Sequence, residues 1–334
     1  MLKLSYTAEH EQYQPLPLLD YAVEAEKVGF DAVWTSDHFH PWHHTNAACG
    51  FAWVWMTALA ERTKKIEIGT AVTCPTFRYH PAVVAQAFAT MRHMYPGRIS
   101  LGLGSGESMN EAPIGYSLPS YKERFQRLEE AIQVIKLLWS GDFVNFKGKY
   151  YTLRKAKLYT NPASPPPIYL AAYGAKVMEL AGRCCEGVLT LPLPEKQYRD
   201  VLFPALERGA KAANRDPAKI VKSIEVWVAY DEDYDKALEK ARFWAAAATP
   251  YIYKFGVYDP REIEEFGWWV GDKQLAQYWL IGTKPDDHIK HLEKFVKLGF
   301  HDIHVQSSSP DEFKTLEMYG KHVLPYIRST YGMP

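Results

Sequence analysis

The stretch Asp20-Tyr21-Ala22-Val23-Glu24-Ala25-Glu26-Lys27-Val28-Gly29-Phe30-Asp31-Ala32-Val33-Trp34-Thr35 contains one full turn of a repeating pattern. Leu19, Ala22, Val23 and Val28 recur at the spacing that puts apolar side chains on one face of a helix, read over 17–28. Gly29 ends it, because glycine turns left-handed at a helix C-terminus without a Cβ penalty. Residues 31–35 then read as a strand. Near the other end of the chain, Val296-Lys297-Leu298-Gly299-Phe300 repeats the same punctuation before another strand.

Between these two points, strands and amphipathic helices alternate. Strands are expected over 2–7, 31–35, 66–72, 98–103, 168–172, 187–191, 220–230 and 303–306. Helices are expected over 17–28, 54–62, 82–94, 121–139, 175–185, 195–213, 234–247, 285–298 and 311–327. The helix 285–298 starts on Pro285 and carries Asp286 and Asp287 in its first turn, as the helix dipole favours. Eight strand–helix units in one chain predict an α/β fold, a closed (β/α)8 TIM barrel rather than an open doubly wound sheet. The 334 residues exceed the usual ~250 of that fold. The surplus is assigned to insertions in a single domain over 1–334: a short hairpin near 140–165, and an aromatic-rich segment with mixed helical signals at 248–280.

Bulk composition removes several classes of function. Lys plus Arg and Asp plus Glu are both 39, so the formal charge is zero and no nucleic acid or anionic membrane is favoured as partner. No run is apolar for long enough to span a bilayer, and residues 1–6 carry no leader-like apolar segment. The four cysteines, Cys49, Cys74, Cys184 and Cys185, form no CxxC pair. A reduced, cytoplasmic protein is expected.

In such a barrel, chemistry sits where the strands end. After the second strand comes Ser36-Asp37-His38-Phe39-His40-Pro41-Trp42-His43-His44. A histidine there can exchange a proton near neutral pH and so suits removal of an alcohol proton. The alternatives are a surface histidine loop and a metal site. The four histidines lack helical i, i+4 placement and Pro41 breaks any helix, so no metal is assigned. After the fourth strand comes Gly102-Leu103-Gly104-Ser105-Gly106-Glu107-Ser108-Met109-Asn110-Glu111. It fails the dinucleotide pattern because Glu107 stands where the third glycine is needed. Its glycines allow backbone to approach a flat ligand, and Glu107 is placed to exchange a proton with a ring nitrogen; a glycine-rich turn with solvated acids is the other reading. Cys74, in Gly69-Thr70-Ala71-Val72-Thr73-Cys74-Pro75, has no base beside it in sequence and reads as a small buried hydrophobe. Ala171-Ala172-Tyr173-Gly174-Ala175-Lys176 leads into a helix whose free N–H groups suit a phosphate, or forms a plain turn.

Taken with Thr76-Phe77-Arg78-Tyr79-His80-Pro81-Ala82, these segments resemble the luciferase-like, coenzyme F-420-dependent dehydrogenases over nearly the whole chain. The resemblance implies hydride transfer between a C–OH carbon and the deazaflavin coenzyme F-420. It implies His38 as the base, Trp42 beside the reacting carbon and Glu107 as proton donor facing the ring. It implies coenzyme contacts from Asp37, Cys74 and Asn110, a non-proline cis peptide at Ala71–Val72 behind the ring, and phosphate contacts from Gly174 and Ala175. Glu11 is implied as a pocket residue, and a homodimer is implied, with apolar residues of 51–56 assigned to its interface.

Family members divide between secondary alcohols and glucose 6-phosphate. The sugar-phosphate type holds its dianion with two lysines and an arginine. Here Lys254 matches one lysine, Leu191-Pro192-Leu193-Pro194 stands at the other and Tyr278 at the arginine. Charge-assisted contacts contribute about 1.5–3 kcal/mol each, so two missing cations weaken dianion binding substantially. A small, secondary alcohol is therefore the expected substrate, with glucose 6-phosphate as the alternative, Lys254 and Tyr278 near the substrate, and Lys196 within reach as a replacement cation. A flavin-dependent monooxygenase and a non-catalytic coenzyme-binding barrel are the remaining readings.

Overall fold

The computed structural model describes residues 2–332. Among the described residues eleven strands occur, in the order β1 (Lys3–Ala8), β2 (Ala32–Thr35), β3 (Glu67–Thr70), β4 (Ile99–Leu103), β5 (Val144–Lys147), β6 (Thr152–Ala156), β7 (Ile168–Ala171), β8 (Gly187–Thr190), β9 (Val221–Tyr230), β10 (Trp279–Gly282) and β11 (Asp302–Ser307). Eight of them pair in parallel around a closed ring, β1-β2-β3-β4-β7-β8-β9-β11 and back to β1. This is the (β/α)8 TIM barrel that the alternation predicts. Strands β5 and β6 form the antiparallel hairpin expected near 144–153.

The helix ends behave as their sequences dictate. The helix Pro15–Val28 stops at Gly29, φ 105°, and Pro285–Leu298 stops at Gly299, φ 94°, each glycine N–H closing on the preceding turn. Both conformations are ones a residue with a Cβ adopts only under strain. Helix Tyr121–Leu138 starts on Ser120, whose side chain accepts from the Glu123 N–H. Leu128, Ile132, Ile135 and Leu138 of that helix are buried, as their spacing requires. Inside the barrel, Trp34 stacks on His304 with centroids 4.8 Å apart and meets Tyr169 edge-on at 4.8 Å. The interior is thus filled and the site is confined to the strand ends.

Three local expectations change. The stretch 279–282, which begins at the end of the aromatic-rich segment, is a strand: Trp279–Gly282 pairs with Trp227–Tyr230 of β9. Since Trp227 and Val228 also pair with β11, β10 takes the flank of β9 that β8 occupies lower down. The helix read over 234–247 runs only over Tyr234–Ala241, then tightens over Arg242–Ala248 where the Trp244 indole donates to Gln12 Oε1 at 2.9 Å. In 51–56 only Phe51 and Val54 are exposed; Ala52, Trp53, Trp55 and Met56 belong to the core. Among the described residues no helix is long and apolar enough to cross a membrane.

Candidate active site

Strand β2 delivers Ser36, Asp37 and His38 to the rim of the barrel, and three short-range anchors hold them there. Asp37 is 3 % exposed and accepts from the Arg78 guanidinium at 2.7 Å, from Thr73 Oγ1 at 2.7 Å and from Tyr79 OH at 3.1 Å. The Phe39 N–H donates to Asn110 Oδ1 at 2.8 Å, tying this loop to the turn after β4. Ser36 donates to Glu11 Oε2 at 2.6 Å and accepts from the His10 N–H. Asp37 and Asn110, held by these contacts, both line the cavity at the strand ends.

His38 Nδ1 lies 2.6 Å from Glu11 Oε1, a close ion pair although not aligned as a hydrogen bond. Burial works against a charged ring, but the Glu11 carboxylate and, less strongly, Glu107 outweigh it and hold the His38 pKa up at about 9. Glu11 is also penalised by burial, yet its contact with His38 holds it down at about 2. With Nδ1 committed to Glu11, Nε2 is the ring nitrogen left for a substrate. Trp42 is buried 6.0 Å from the His38 ring.

These groups open on a cavity of about 600 Å³ at the C-terminal ends of the strands. On the side of β3, β4 and β7 its wall is mostly backbone and small side chains: Ala71, Val72, Cys74, Gly104 and Gly174. The Ala71–Val72 bond is cis. A Cβ on Gly104 would fall 2.6 Å from Val72 Cγ2, so only glycine lets β4 pass this close. Glu107, at the start of the short helix Ser108–Glu111, lines the cavity, and its Oε2 has no partner in the protein. Burial raises its pKa. Burial also pushes the Cys74 thiol up to about 12, so it packs as a hydrophobe and is not a nucleophile. Gly174 reaches the cavity and Ala175 begins the helix Ala175–Cys184 behind it.

On the opposite side the structure adds residues that strand-end motifs did not single out. Glu9 follows β1, Glu225 and Trp227 lie on β9, and Gln306 lies on β11, all lining the cavity. The Trp227 indole donates to Glu225 Oε1 at 3.0 Å. Trp279 stacks with Trp227 at 6.2 Å and with Trp244 at 6.4 Å, so the aromatic-rich insertion forms part of the wall. The period-two alternation of β9 held the signal for Glu225 and Trp227, which share a face. Two expected substrate contacts stand apart from this lining. Lys254 and Tyr278 do not line the cavity: Lys254 Nζ sits 5.5 Å from the Phe255 ring, and Tyr278 is 43 % exposed while its neighbour Trp279 turns inward. The reason is local in both cases. Lys254 belongs to the short helix Tyr251–Phe255, whose Tyr253 faces the cavity, and Tyr278 ends the helix Asp272–Tyr278, one residue before the strand that carries Trp279 inward.

Residues 5–302 match the family of luciferase-like monooxygenases. The chain is 42 % identical over 331 residues to an F420-dependent glucose-6-phosphate dehydrogenase of Amycolatopsis mediterranei, an alignment covering 98 % of this chain and 99 % of the relative. A solved F420-dependent secondary alcohol dehydrogenase, in complex with an F420-acetone adduct, superimposes with a TM-score of 0.94 at 41 % identity, covering 98 % of this chain and 99 % of that one. A coenzyme F420-dependent tetrahydromethanopterin reductase from Methanopyrus kandleri, 23 % identical over 97 % of this chain and 99 % of its own, shares the fold with a TM-score of 0.81.

Proposed function

Because the chain belongs to the luciferase-like monooxygenase family, and its cavity pairs a buried acid–base set with a flat backbone wall, we propose that it is a coenzyme F-420-dependent dehydrogenase of small neutral alcohols. The residues fit the deazaflavin. Ala71, Val72, Gly104 and Gly174 bring small side chains and backbone to the cavity, and Glu107, also in its lining, presents an unpartnered carboxyl oxygen. On this reading Ala71, Val72, Cys74, Gly104, Asn110 and Gly174 hold the coenzyme, which supplies a two-electron hydride acceptor when bound.

The protein's own share is orientation and protons. His38 takes or gives the hydroxyl proton at Nε2, while Glu11 on Nδ1 fixes the ring and stabilises its charge. With its pKa at about 9, His38 is protonated at neutral pH, the form that donates to a carbonyl oxygen; alcohol oxidation needs the neutral ring and gains rate as pH rises toward that value. Trp42 closes the site beside His38. Glu107, raised by burial, holds a proton on the coenzyme side. We place the protein in the cytoplasm, as a homodimer sharing the face that exposes Phe51 and Val54.

One observation carries the choice of a neutral alcohol: no Lys or Arg among the described residues lines the cavity, while Glu9, Glu11, Asp37, Glu107 and Glu225 all do. Such a lining offers a phosphate dianion no Lys or Arg partner. The names of the 42 % identical relatives favour glucose 6-phosphate as a second reading. A panel with oxidised coenzyme F-420, following loss of its visible absorbance, decides between them. Turnover of isopropanol without glucose 6-phosphate is expected; the reverse result would sink the proposal.

A further inference from the structure

A cavity for a simple secondary alcohol needs an acid–base pair and apolar walls. This one has more. Glu9 is 7 % exposed and Gln306 3 % exposed; both line the cavity, and neither meets a cation. The Ser36 hydroxyl hydrogen, the nearest candidate for Glu9, goes to Glu11. Glu225 is held through one oxygen by the Trp227 indole. The three residues share one wall, because β11 pairs with β9 and β1: Gln306 lies across from Trp227 on one side and from Thr7, two residues before Glu9, on the other. Each of the three keeps hydrogen-bonding capacity toward the cavity that an occupant carrying hydroxyl groups would satisfy. Burial drives both Glu9 and Glu225 toward the neutral form, in which a carboxyl both donates and accepts.

We propose that Glu9, Glu225 and Gln306 form a hydroxyl-binding subsite, and that the substrate is a neutral polyhydroxylated alcohol whose further hydroxyls dock there while one C–OH carbon is oxidised at His38. This rests on the dehydrogenase reading above. In the reaction the C–H hydrogen would leave with its electron pair as a hydride, which the bound coenzyme would accept, the hydroxyl proton would pass to Nε2 of neutral His38, and the remaining hydroxyls would stay intact. Alternating donors and acceptors suit a vicinal diol; an acyclic polyol and an unphosphorylated sugar share that chemistry.

The test compares sorbitol, glucose, isopropanol, an amino alcohol and glucose 6-phosphate as reductants of coenzyme F-420 on the loaded enzyme. Sorbitol or glucose is expected to exceed isopropanol in kcat/KM by about tenfold or more, one net hydrogen bond being worth about that factor. Whichever of the two is faster identifies the cyclic or the acyclic form. Gln306→Leu and Glu9→Ala should each lower this preference about tenfold, and Glu9→Gln, which also donates and accepts, should retain most of it. Independently of turnover, sorbitol or glucose should saturably change the tryptophan fluorescence of the wild-type chain, through Trp227 and Trp279, and lose that effect in Gln306→Leu. Equal or better use of isopropanol, preference for the amino alcohol, or a preference that these variants leave intact overturns the subsite alone. Failure of every alcohol to reduce the coenzyme overturns the dehydrogenase reading, and the fluorescence titration then still decides the subsite.

Discussion

The wall of β3, β4 and β7 meets the cavity with Ala71, Val72, Gly104 and Gly174, whereas the wall of β9, β11 and β1 meets it with Glu225, Gln306 and Glu9. The first offers mainly backbone and small side chains, the second polar side chains with hydrogen-bonding capacity to spare. A rigid aromatic ring needs flatness and few specific contacts; a small flexible substrate needs directional groups to hold one carbon in place. His38 and Glu11 stand between the two, at the ends of β2 and β1. On the proposed function, the division of labour follows from which strands are neighbours.

The largest effect should come from removing the group that serves both walls. His38→Ala is expected to lower turnover about 10²–10⁴-fold while leaving the dissociation constant of coenzyme F-420 nearly unchanged. Parallel steady-state and absorbance titrations check this, and a matching loss of coenzyme binding would erase the distinction between the walls. Next, Gly104→Val should weaken coenzyme binding by about 1–3 kcal/mol through its collision with Val72, measured by the same titration.

Glu11→Gln acts on the junction and should show in the pH profile. With the carboxylate gone, burial of His38 is less opposed, so the rise of alcohol oxidation with pH moves from about 9 to 6.5 or below. The pair also stabilises the fold in a defined window. The raised His38 contributes fully below 6.5 and loses its contribution as pH passes about 9; the depressed Glu11 contributes above 4.5 and loses it as pH falls through about 2. The melting temperature of the wild type should thus fall between pH 6.5 and 9.5 by more than that of Glu11→Gln. The smallest effect is expected for Lys254→Ala, which touches neither wall: kcat/KM should change by no more than about twofold. A large loss there would return Lys254 to the substrate site.

Much of this was legible in the chain. Apolar spacing with Gly29 and Gly299 predicts eight strand–helix units, and Ser36–Trp42 and Gly104–Asn110 mark two of the strand ends that carry the site. Less legible was the 248–280 segment. Its aromatic residues suit a helix or a strand equally, and only pairing with Trp227–Tyr230 makes Trp279–Gly282 a strand. Lys254 could be matched by position, yet the face of its short helix was set by packing of Ile252 and Tyr253.

By itself, then, the sequence determined the barrel, the rim as the place of chemistry, and His38 and Glu107 as its titrating groups, because periodicity and strand-end position are local properties. The tertiary structure alone decided that Glu9 and Gln306, from opposite ends of the chain, share a wall with Glu225, and that Glu11 charges His38. Closure of the ring through β11 and β1 creates those neighbours, and the low polarity of the buried cavity turns their proximity into shifted protonation.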